Sequence, residues 1–432
     1  MKRIFSLFII LLSVFSHAEQ YSLQQCIDSA LNNNISIRQQ RNDYASQRIS
    51  YQQQHYNLLP SVSGNVSQSW SFGRGTGADN LIVSKNMANT SFGLNANLLL
   101  FDGLGMKFRI DEARANMQAS EAKTSKIEAD IKMNITTMFL QVLLNKELLL
   151  VADSQFEATR LQLERSELLV REGRLAAGEQ YTLQAQFAKE ELAQIEALNN
   201  VKLSLLDLAQ AMDVEYSEDF DIASIGDILV TELLPTNDEV YKQALENRPE
   251  IKNAKFLIQA EESALKSAKA AYSPTLSASA NLNTGYYHLY GTDNNSFGQQ
   301  LGDNLSTMVA LNLSIPIFDK MQTPNRVSIQ KISIENSKLS LLSAQQTLRK
   351  EIDQAYYNAL AAQKQQMSAE KAEFSAAEAY RYEQQKFEAG RSTAYEFNNA
   401  KNTYTKARSE YLQAKYNYIF KTKILKYYSG TL

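Results

Sequence analysis

The chain of 432 residues has few of the residues that crosslink a fold or carry chemistry. Its single cysteine, Cys26, excludes an intrachain disulfide and is expected to be a free thiol on the first helix, so packing or oligomerisation must supply the stability. The 44 Lys and Arg against 47 Asp and Glu leave no basic surplus, which argues against nucleic-acid binding. The sequence has no phosphate loop, metal-ligand cluster or serine-nucleophile elbow, so we expect no enzyme, no cofactor and no metal site.

Helix breakers are also scarce. No proline lies between Met106 and Leu234 or between Asn325 and Leu432, and glycine is rare there too. Stretches free of breakers and rich in Ala, Gln, Glu, Lys and Leu predict helices. The predicted helices span 22–58, 104–171, 179–212, 237–247, 249–272, 324–388 and 393–427. The two longest would each extend about 100 Å, so they need partners along their length in a coiled coil or an α-barrel.

The last predicted helix carries a seven-residue repeat. Large aromatic residues recur at Phe397, Tyr404, Tyr411 and Tyr418. Alanines follow three positions later, at Ala400, Ala407 and Ala414. A sustained period of seven favours left-handed supercoiling, although ordinary helix packing would also produce an apolar stripe.

The N-terminus is typical of a secretory signal. Lys2 and Arg3 precede an apolar segment, 4–15, and the small residues of 16–18 form a cleavage site. We therefore expect a signal peptide at 1–18 and a mature chain from Glu19. No later apolar run is expected to reach the roughly 20 residues of a membrane-spanning helix, which leaves a soluble protein or a barrel.

Four segments alternate between apolar and small polar residues, the pattern of β-strands. They are predicted at about 61–72, 91–101, 275–287 and 305–317. Apolar residues on one face and Ser or Asn on the other suit a membrane barrel with a wet lumen, and the alternative is a one-sided sheet on a soluble core. The segments between the strands of each pair, about 73–90 and 288–304, are predicted to be exposed extracellular loops.

The chain also repeats itself. Three motifs return at offsets of 214 or 217 positions: 31–38 at 245–252, Phe101-Asp102 at Phe318-Asp319, and Gly173-Arg174 at Gly390-Arg391. We expect a first structural repeat at 19–234 and a second at 235–432, each with a helix, two strands and a long helical hairpin. Four strands cannot close a barrel alone, because open edges are not tolerated in lipid. Three copies would give twelve strands around an aqueous passage, and a dimer with a filled interior stays open as an alternative.

Over essentially its whole mature length, the chain resembles the TolC-type outer-membrane efflux proteins, also called outer membrane factors. The matching segments are the opening helix 21–31, the Asn-Arg-Pro-Glu-Ile segment at 247–251, the strand endings 98–103 and 315–319, and the glycine-bearing hairpins at 172–180 and 389–397. The resemblance implies a mostly α fold with a membrane β-barrel. In it, a long coiled-coil α-barrel continues a trimeric twelve-stranded β-barrel with four strands per chain, internally duplicated.

The resemblance further implies a passive exit duct of a tripartite efflux or type I secretion system. A homotrimer would sit in the outer membrane of a Gram-negative bacterium, contact its lipid and extend far into the periplasm. It would dock a periplasmic adaptor and an inner-membrane pump, with equatorial parts at about 213–247 and at the C-terminus. The alternative is a periplasmic adaptor-like protein or a structural coiled coil without a pore, and neither explains the four strands.

Two hairpin turns, at about 171–179 and 388–396, would form the periplasmic tip. The expected adaptor-docking residues are Gly173, Leu175, Ala176, Gly178, Gly390, Ser392 and Thr393. The expected gate residues are Glu396, Asn399, Arg391, Glu179 and Arg174. Asn399 is neutral where the family pattern has a second acidic position. Replacing Glu396 or Arg391 by alanine is expected to make a closed tip leakier.

Aromatic residues near the strand ends are candidates for the girdle at the membrane interface. They are Trp70, Phe72, Phe101, Tyr286, Tyr287 and Phe318.

Overall fold

The computed structural model describes residues 20–76, 81–84, 86–224 and 234–430. The first repeat contains α1 Leu23–Asn33, α2 Ile35–Tyr56, β1 Ser61–Ser71, β2 Arg74–Thr76, β3 Ile82–Ser84, β4 Met87–Phe101, α3 Gly105–Arg171 and α4 Ala177–Ala211. The second contains α5 Asn237–Asn247, α6 Pro249–Ala270, β5 Thr275–Leu289, α7 Phe297–Asp303, β6 Ser306–Ser314, α8 Gln322–Glu388 and α9 Ala394–Ser429. The predicted signal peptide and residues 225–233 of the predicted equatorial part lie outside the described residues.

The internal duplication is confirmed by the element bounds. Helices α5 and α6 begin and end 214 positions after α1 and α2, and α8 begins and ends 217 positions after α3. The three-residue change falls between β1 and β4, where the two repeats build different structures. Here the first repeat has the short β2–β3 ribbon, and the second has α7. Both lie in segments that we predicted to be loops, so that prediction was wrong for part of each segment.

The predicted helix 22–58 is divided at Asn34. This residue has an extended backbone, and its Oδ1 accepts hydrogen bonds from the amides of Ser36 and Ile37, which start α2. Asp213 accepts the amide of Ile35 from outside the helix. In the second repeat, Pro249 starts α6 at the equivalent place, and a proline at the first helical position is easily seen in a sequence. The side-chain cap of Asn34 has no comparable signal.

The four main strands form one antiparallel sheet in the order β1-β4-β5-β6. Strand β4 begins at Met87 and β6 ends at Ser314, which differs from the predicted 91 and 317. Beyond Asn283, β5 has no partner strand on the β6 side. The side chain of Gln300 on α7 covers this edge: its Oε1 accepts the Tyr287 amide at 3.0 Å and its Nε2 donates to the Tyr287 carbonyl at 3.0 Å. One amide side chain thus replaces a peptide group of the missing strand.

The chain divides into two compact units. The first comprises residues up to Arg41, Lys123–Ile251, and Gln345 onward; the second comprises Asn42–Ala122 and Lys252–Ala344 and contains the sheet. The core of the first unit is built by α1, α3, α4 and α9 around Phe139, Leu208 and Met212. Cys26 is a buried free thiol within this core, and burial raises its pKa to about 12.

One expectation about apolar segments needs correction. Helix α3 contains an 18-residue window of mean hydropathy 1.5, which is apolar enough by length and composition to cross a membrane. The segment is apolar on average without being an uninterrupted apolar run, because its many Leu, Ile, Val and Phe residues outweigh the polar ones between them. Ile135, Phe139 and Leu143 of the same helix belong to the packed core of the first unit. Burial in that core accounts for these three residues, and 33% of the window is buried in this way.

Candidate functional site: the hairpin turns and the two faces of the sheet

Both hairpin turns leave their first helix through the same glycine-dependent motif. We call residues 172–176 the first turn and 389–393 the second turn. Gly173 and Gly390 have φ of 71° and 70°, a conformation that glycine adopts without a steric penalty. The Arg174 amide donates to the Leu169 carbonyl, and the Arg391 amide donates to the Lys386 carbonyl, both at 2.8 Å. This is the Schellman arrangement, so the glycines reverse the chain and satisfy the helix ends together.

The second turn enters α9 through a complete capping box. The Thr393 hydroxyl accepts the Glu396 amide at 3.2 Å, and Glu396 Oε2 accepts the Thr393 amide at 3.0 Å. The hydroxyls of Thr393 and Ser392 also donate to this oxygen, at 2.9 and 3.2 Å. These donors lower the pKa of Glu396, chiefly through the Thr393 amide. The proposed gate carboxylate therefore also serves as a structural cap.

The first turn lacks this cap. Ala176 occupies the position of Thr393 and makes no side-chain hydrogen bond to α4. Glu179 stands at the position equivalent to Glu396, but the side chain of Ala176 offers no oxygen to complete the box. Gly178 weakens the first turn of α4 further, because glycine is a poor helix former. The two turns thus share a backbone exit and differ in how firmly the next helix begins.

The two turns line one groove in the first unit. Its volume is about 690 Å³, and its walls come from α3, α4, α8 and α9. Four residues predicted for the docking surface or the gate lie in its lining: Leu175, Glu179, Ser392 and Thr393. The structure therefore brings together residues from the two repeats that are more than 200 positions apart in the sequence.

Sequence reasoning missed the aromatic floor of this groove. Tyr380, Phe387 and Phe397 all line it. The ring of Phe397 stacks on Phe387 with centroids 4.8 Å apart, and Tyr380 stacks on Tyr404 at 5.6 Å with an interplanar angle of 5°. Phe397 and Tyr404 belong to the seven-residue repeat of α9, which could have identified them. Tyr380 and Phe387 are seven residues apart on α8, a shorter signal that we did not use.

The remaining gate candidates do not form inter-hairpin ion pairs. Arg174 contacts Glu172 of its own turn at 3.4 Å, and both side chains are exposed. Arg391 is exposed and has no carboxylate within 4 Å among the described residues. Asn399 is exposed on α9, one turn beyond Glu396. Neither arginine therefore pairs with a carboxylate of the other hairpin within the described chain.

One face of the sheet is lined by uncharged polar side chains. Cross-strand neighbours on this face include Ser63, Asn95 and Asn281 in one row, and Asn65 and Asn283 in the next. Asn95 donates to Asn65 Oδ1 at 2.9 Å, and Ser67 and Ser91 join their hydroxyls at 2.6 Å. A hydrogen-bonded wall of amides and hydroxyls suits contact with water.

The opposite face is apolar and exposed. One cross-strand row contains Val62, Ala96, Ala280 and Val309. Val62 and Val309 are 71% and 75% exposed, far more than valines in a water-soluble sheet normally are. Phe297 of α7 packs against Phe92 and Tyr286 at one end of this face, while valines such as Val62 and Val309 stay exposed, as expected for contact with hydrocarbon.

The girdle candidates lie near both ends of the sheet. Trp70, Phe72 and Tyr286 lie toward the β1–β4 and β5–β6 connections, and Phe101 and Phe318 lie toward the helices. Phe101 pairs with Leu276 on the apolar face because a bulge between Leu99 and Phe101 shifts the register. Tyr287 pairs with Asn89 on the polar face, since adjacent residues of a strand face opposite ways. Tyr287 therefore lies on the opposite face from Phe101 and Tyr286.

Comparison with known proteins identifies the class of this fold. A sequence model of the outer membrane efflux protein family matches residues 26–213 and 240–430, one match in each repeat. The chain therefore belongs to the outer membrane efflux protein family, and the resemblance inferred from the sequence is confirmed. No curated protein sequence gives a significant match.

Solved structures show the same fold at low sequence identity. The CmeC outer membrane channel of Campylobacter jejuni is 16% identical, with a TM-score of 0.79 over 95% of this chain and 86% of its own. The open state of the MtrE outer membrane channel of Neisseria gonorrhoeae is 18% identical, with a TM-score of 0.75 over 94% of this chain and 88% of its own. The outer membrane protein VceC of Vibrio cholerae is 13% identical, with a TM-score of 0.76 over 94% and 96%. This chain is thus a member of the outer membrane efflux protein family with the fold of these outer membrane proteins.

Proposed function

We propose that three copies of this chain close a twelve-stranded barrel and act as a passive exit duct across the outer membrane. The observation that carries the proposal is the four-stranded sheet. Its outer strands, β1 and β6, have no partner on their free edges within the described chain, and its apolar face is exposed. Both features are untenable in lipid unless the edges pair between copies.

The number of copies follows from the polar face. Eight strands, from two copies, enclose an interior that side chains just fill, whereas twelve strands leave an aqueous passage. The polar face carries hydrogen-bonded Asn and Ser side chains, such as Asn65 and Asn95, that are better suited to water than to a packed core. Strands β1 and β6 run in opposite directions, so β1 of one copy can pair with β6 of the next in the antiparallel sense of the whole sheet.

The long helices offer a second surface for contact between copies. Tyr357, Met367 and Phe374 of α8 are exposed along one helix, at 63%, 51% and 67%. Met367 and Phe374 are seven residues apart, which is the repeat of a coiled-coil seam. Neighbouring copies would bury these side chains and extend the duct as a helical tube.

Introduced cysteines test the closure of the barrel. Cys26 is buried, so cysteines placed in β1 and β6 are the accessible thiols of the chain. Pairs with one cysteine at a position from 62 to 70 and one from 307 to 313 should crosslink in at least one register and give covalent trimers on non-reducing gels. Pairs between β1 and the central strand β5 serve as a matched control and should not crosslink between copies. Covalent dimers without trimers, or a monomeric protein that forms no channel in a planar bilayer, would contradict the proposal.

The groove between the two turns is proposed as the docking site for a periplasmic adaptor that links the duct to an inner-membrane pump. Its apolar floor and its polar rim, with Arg165, Glu179 and Glu388, resemble the anatomy of a protein interface. A photo-crosslinking residue at Leu161, in the groove, should capture a partner in the native host. The same residue at Leu150 is the control, because these two leucines of α3 are 57% and 61% exposed but only Leu161 lines the groove. Equal capture of the same partner at both positions would argue against the groove.

The carboxylates Glu396 and Glu179 are proposed to form the acidic part of the tip, with Arg391, Arg174 and Asn399 beside them. In a trimer each would occur three times around the axis, and clustered carboxylates attract cations. The exported substrate is expected to be selected by the pump, since the polar face of the sheet offers no charged side chain in the paired positions. Single-channel recordings with a salt gradient would show a cation preference that falls in Glu396→Gln.

A further inference from the structure

A buried lysine joins the two helical hairpins near the groove. Lys401 of α9 is 2% exposed, and its Nζ donates to Thr159 Oγ1 of α3 at 2.7 Å. Thr159 is fully buried, and its hydroxyl donates a hydrogen bond to the Gln155 carbonyl at 2.8 Å. Helix α3 belongs to the hairpin of the first repeat and α9 to the hairpin of the second. The bond therefore links the two repeats through their core.

The Lys401 amine is poorly compensated for a buried cation. Within the described chain its hydrogen-bond acceptor is a neutral hydroxyl, and no carboxylate lies within 4 Å of it. Burial lowers the pKa of Lys401, and the more distant Glu190 of α4 acts in the opposite direction. An ammonium group removed from water without a paired charge favours either loss of its proton or renewed contact with water.

Another buried cation of the same unit shows what compensation looks like. Arg248 is 4% exposed, and its guanidinium donates to Glu250 at 2.8 Å and to the carbonyl and hydroxyl of Tyr427 at 3.1 and 2.7 Å. The guanidinium carbon also lies 4.1 Å from the centre of the Tyr427 ring. Arg248 thus fixes the C-terminal end of α9 through several contacts, whereas Lys401, near the start of the same helix, makes one hydrogen bond.

We propose that the Lys401–Thr159 contact is a proton-dependent release point between the two hairpins. The neutral amine keeps α9 packed on α3, and the charged amine favours separation of the hairpins with entry of water to the amine. The device therefore has two states, packed and hydrated, whose populations depend on pH. The contact itself is independent of the proposed duct, and only its consequence, a wider groove and a more open tip, rests on that function.

The direction of the pH effect follows from proton linkage. A lysine whose pKa is lowered in the packed state binds fewer protons there than in the hydrated state, so the packed state gains stability as pH rises toward the ordinary lysine pKa of 10.5. The ratio of packed to hydrated molecules changes by at most tenfold per pH unit in this window, and it no longer depends on pH below the pKa of the packed state.

Neighbouring groups titrate in other ranges or stay neutral. Thr159 of α3 carries no charge, and the carboxylate that acts on Lys401 from α4 is Glu190. On the α8 side, burial raises the pKa of Tyr380, which keeps this ring neutral through its usual titration range. The turn carboxylates Glu383 and Glu396 have lowered pKa values and titrate only in acid. The difference in pH dependence between the wild type and Lys401→Met, from neutral pH to 10.5, therefore reports on Lys401.

The test compares Lys401→Met, which keeps the length of the side chain without its amine, with the wild type as purified full-length protein. Hydrogen-exchange protection, corrected for intrinsic exchange, is measured for the α3 and α9 segments around Thr159 and Lys401 from pH 7 to 10. We expect wild-type protection to rise with pH and the variant to be highly protected at every pH. Lys406→Met is the matched control on the same helix, because Lys406 is exposed, and it should behave as the wild type.

Thr159→Val is the second variant, which removes the acceptor and keeps the shape. It should lower hydrogen-exchange protection severalfold at neutral pH, and protection should still rise to nearly the wild-type level at pH 10. This variant decides the question if Lys401→Met fails to fold. Equal pH dependence in the wild type and Lys401→Met, or unchanged protection in Thr159→Val, would overturn the proposal. A shift in protection without any channel in a planar bilayer would support the release point and count against the duct.

Discussion

The difference between the two turns gives a prediction with a built-in counterpart. Thr393→Ala removes the hydroxyl that accepts the Glu396 amide at 3.2 Å and donates to its carboxylate at 2.9 Å. Loss of an N-cap threonine costs about 1 kcal/mol, which corresponds to roughly a fivefold increase in local opening of the first turn of α9. The reverse change, Ala176→Thr, places a threonine three residues before Glu179 and should complete a capping box at the start of α4. We expect it to reduce local opening there by a similar factor.

Hydrogen exchange at the starts of α4 and α9 measures both changes without requiring a global unfolding transition. Ser392→Ala is the control, since Ser392 donates to Glu396 but leaves the box between Thr393 and Glu396 in place. It should have a smaller effect than Thr393→Ala. If Ala176→Thr fails to protect α4 and Thr393→Ala leaves α9 unchanged, the capping difference does not control the turns, and packing in the groove would have to account for their order.

Four further predictions concern other parts of the structure. Glu396→Gln keeps a capping side chain without its charge, so it should reduce cation preference in bilayer recordings while Glu396→Ala also loosens the start of α9; equal loosening in both variants would contradict the dual role. Gly103→Ala would place a Cβ 2.5 Å from Ser273 Cβ at a φ of 67° and should destabilise the β4–α3 turn. Lys320 lies at the equivalent position of the second repeat with a φ of 55°. Lys320→Gly should therefore stabilise its turn by up to about 1 kcal/mol in thermal denaturation. Arg248→Met leaves Glu250 without its partner and should lower the free energy of unfolding by about 3 kcal/mol, and an unchanged melting temperature would refute the clamp. The Cys26 thiol, with a pKa raised to about 12 by burial, should resist alkylation at pH 8 until the protein is unfolded, and rapid native labelling would place it outside the core.

The long helices and the strands could be predicted because their signals are repeated many times. The ends of α3 and α8 lie within two residues of the predicted ones, since Gly103, Gly173 and Gly390 mark the adjoining turns. The strands follow from regular alternation, and only their ends were misplaced. A periodic pattern specifies which element forms and which face is buried, and it says little about where pairing stops.

The features that sequence reasoning missed depend on single side chains acting at long range. Asn34 divides the first helix because its side-chain oxygen caps α2 and because Asp213, 178 positions after Ile35, accepts the Ile35 amide. Helix α7 forms in a predicted loop because Gln300 satisfies the open edge of β5. The groove between the turns unites residues of both repeats. In each case the sequence shows an ordinary polar or aromatic residue, and only the packed chain supplies its partner.

The duplication gives the two hairpin turns the same backbone path but different helix starts. Both hairpins leave their first helix with the same Schellman bonds, so the path of the chain is fixed by Gly173 in the first repeat and by Gly390 in the second. The two repeats then differ in how the next helix starts. The second repeat starts α9 with Thr393 and Glu396 in a capping box. The first repeat starts α4 with Ala176 and Gly178, which provide no cap. Opening of the uncapped helix start costs less free energy, by about the value of one cap. The first hairpin is therefore the one that should reorganise when a partner enters the groove, while the second holds its shape.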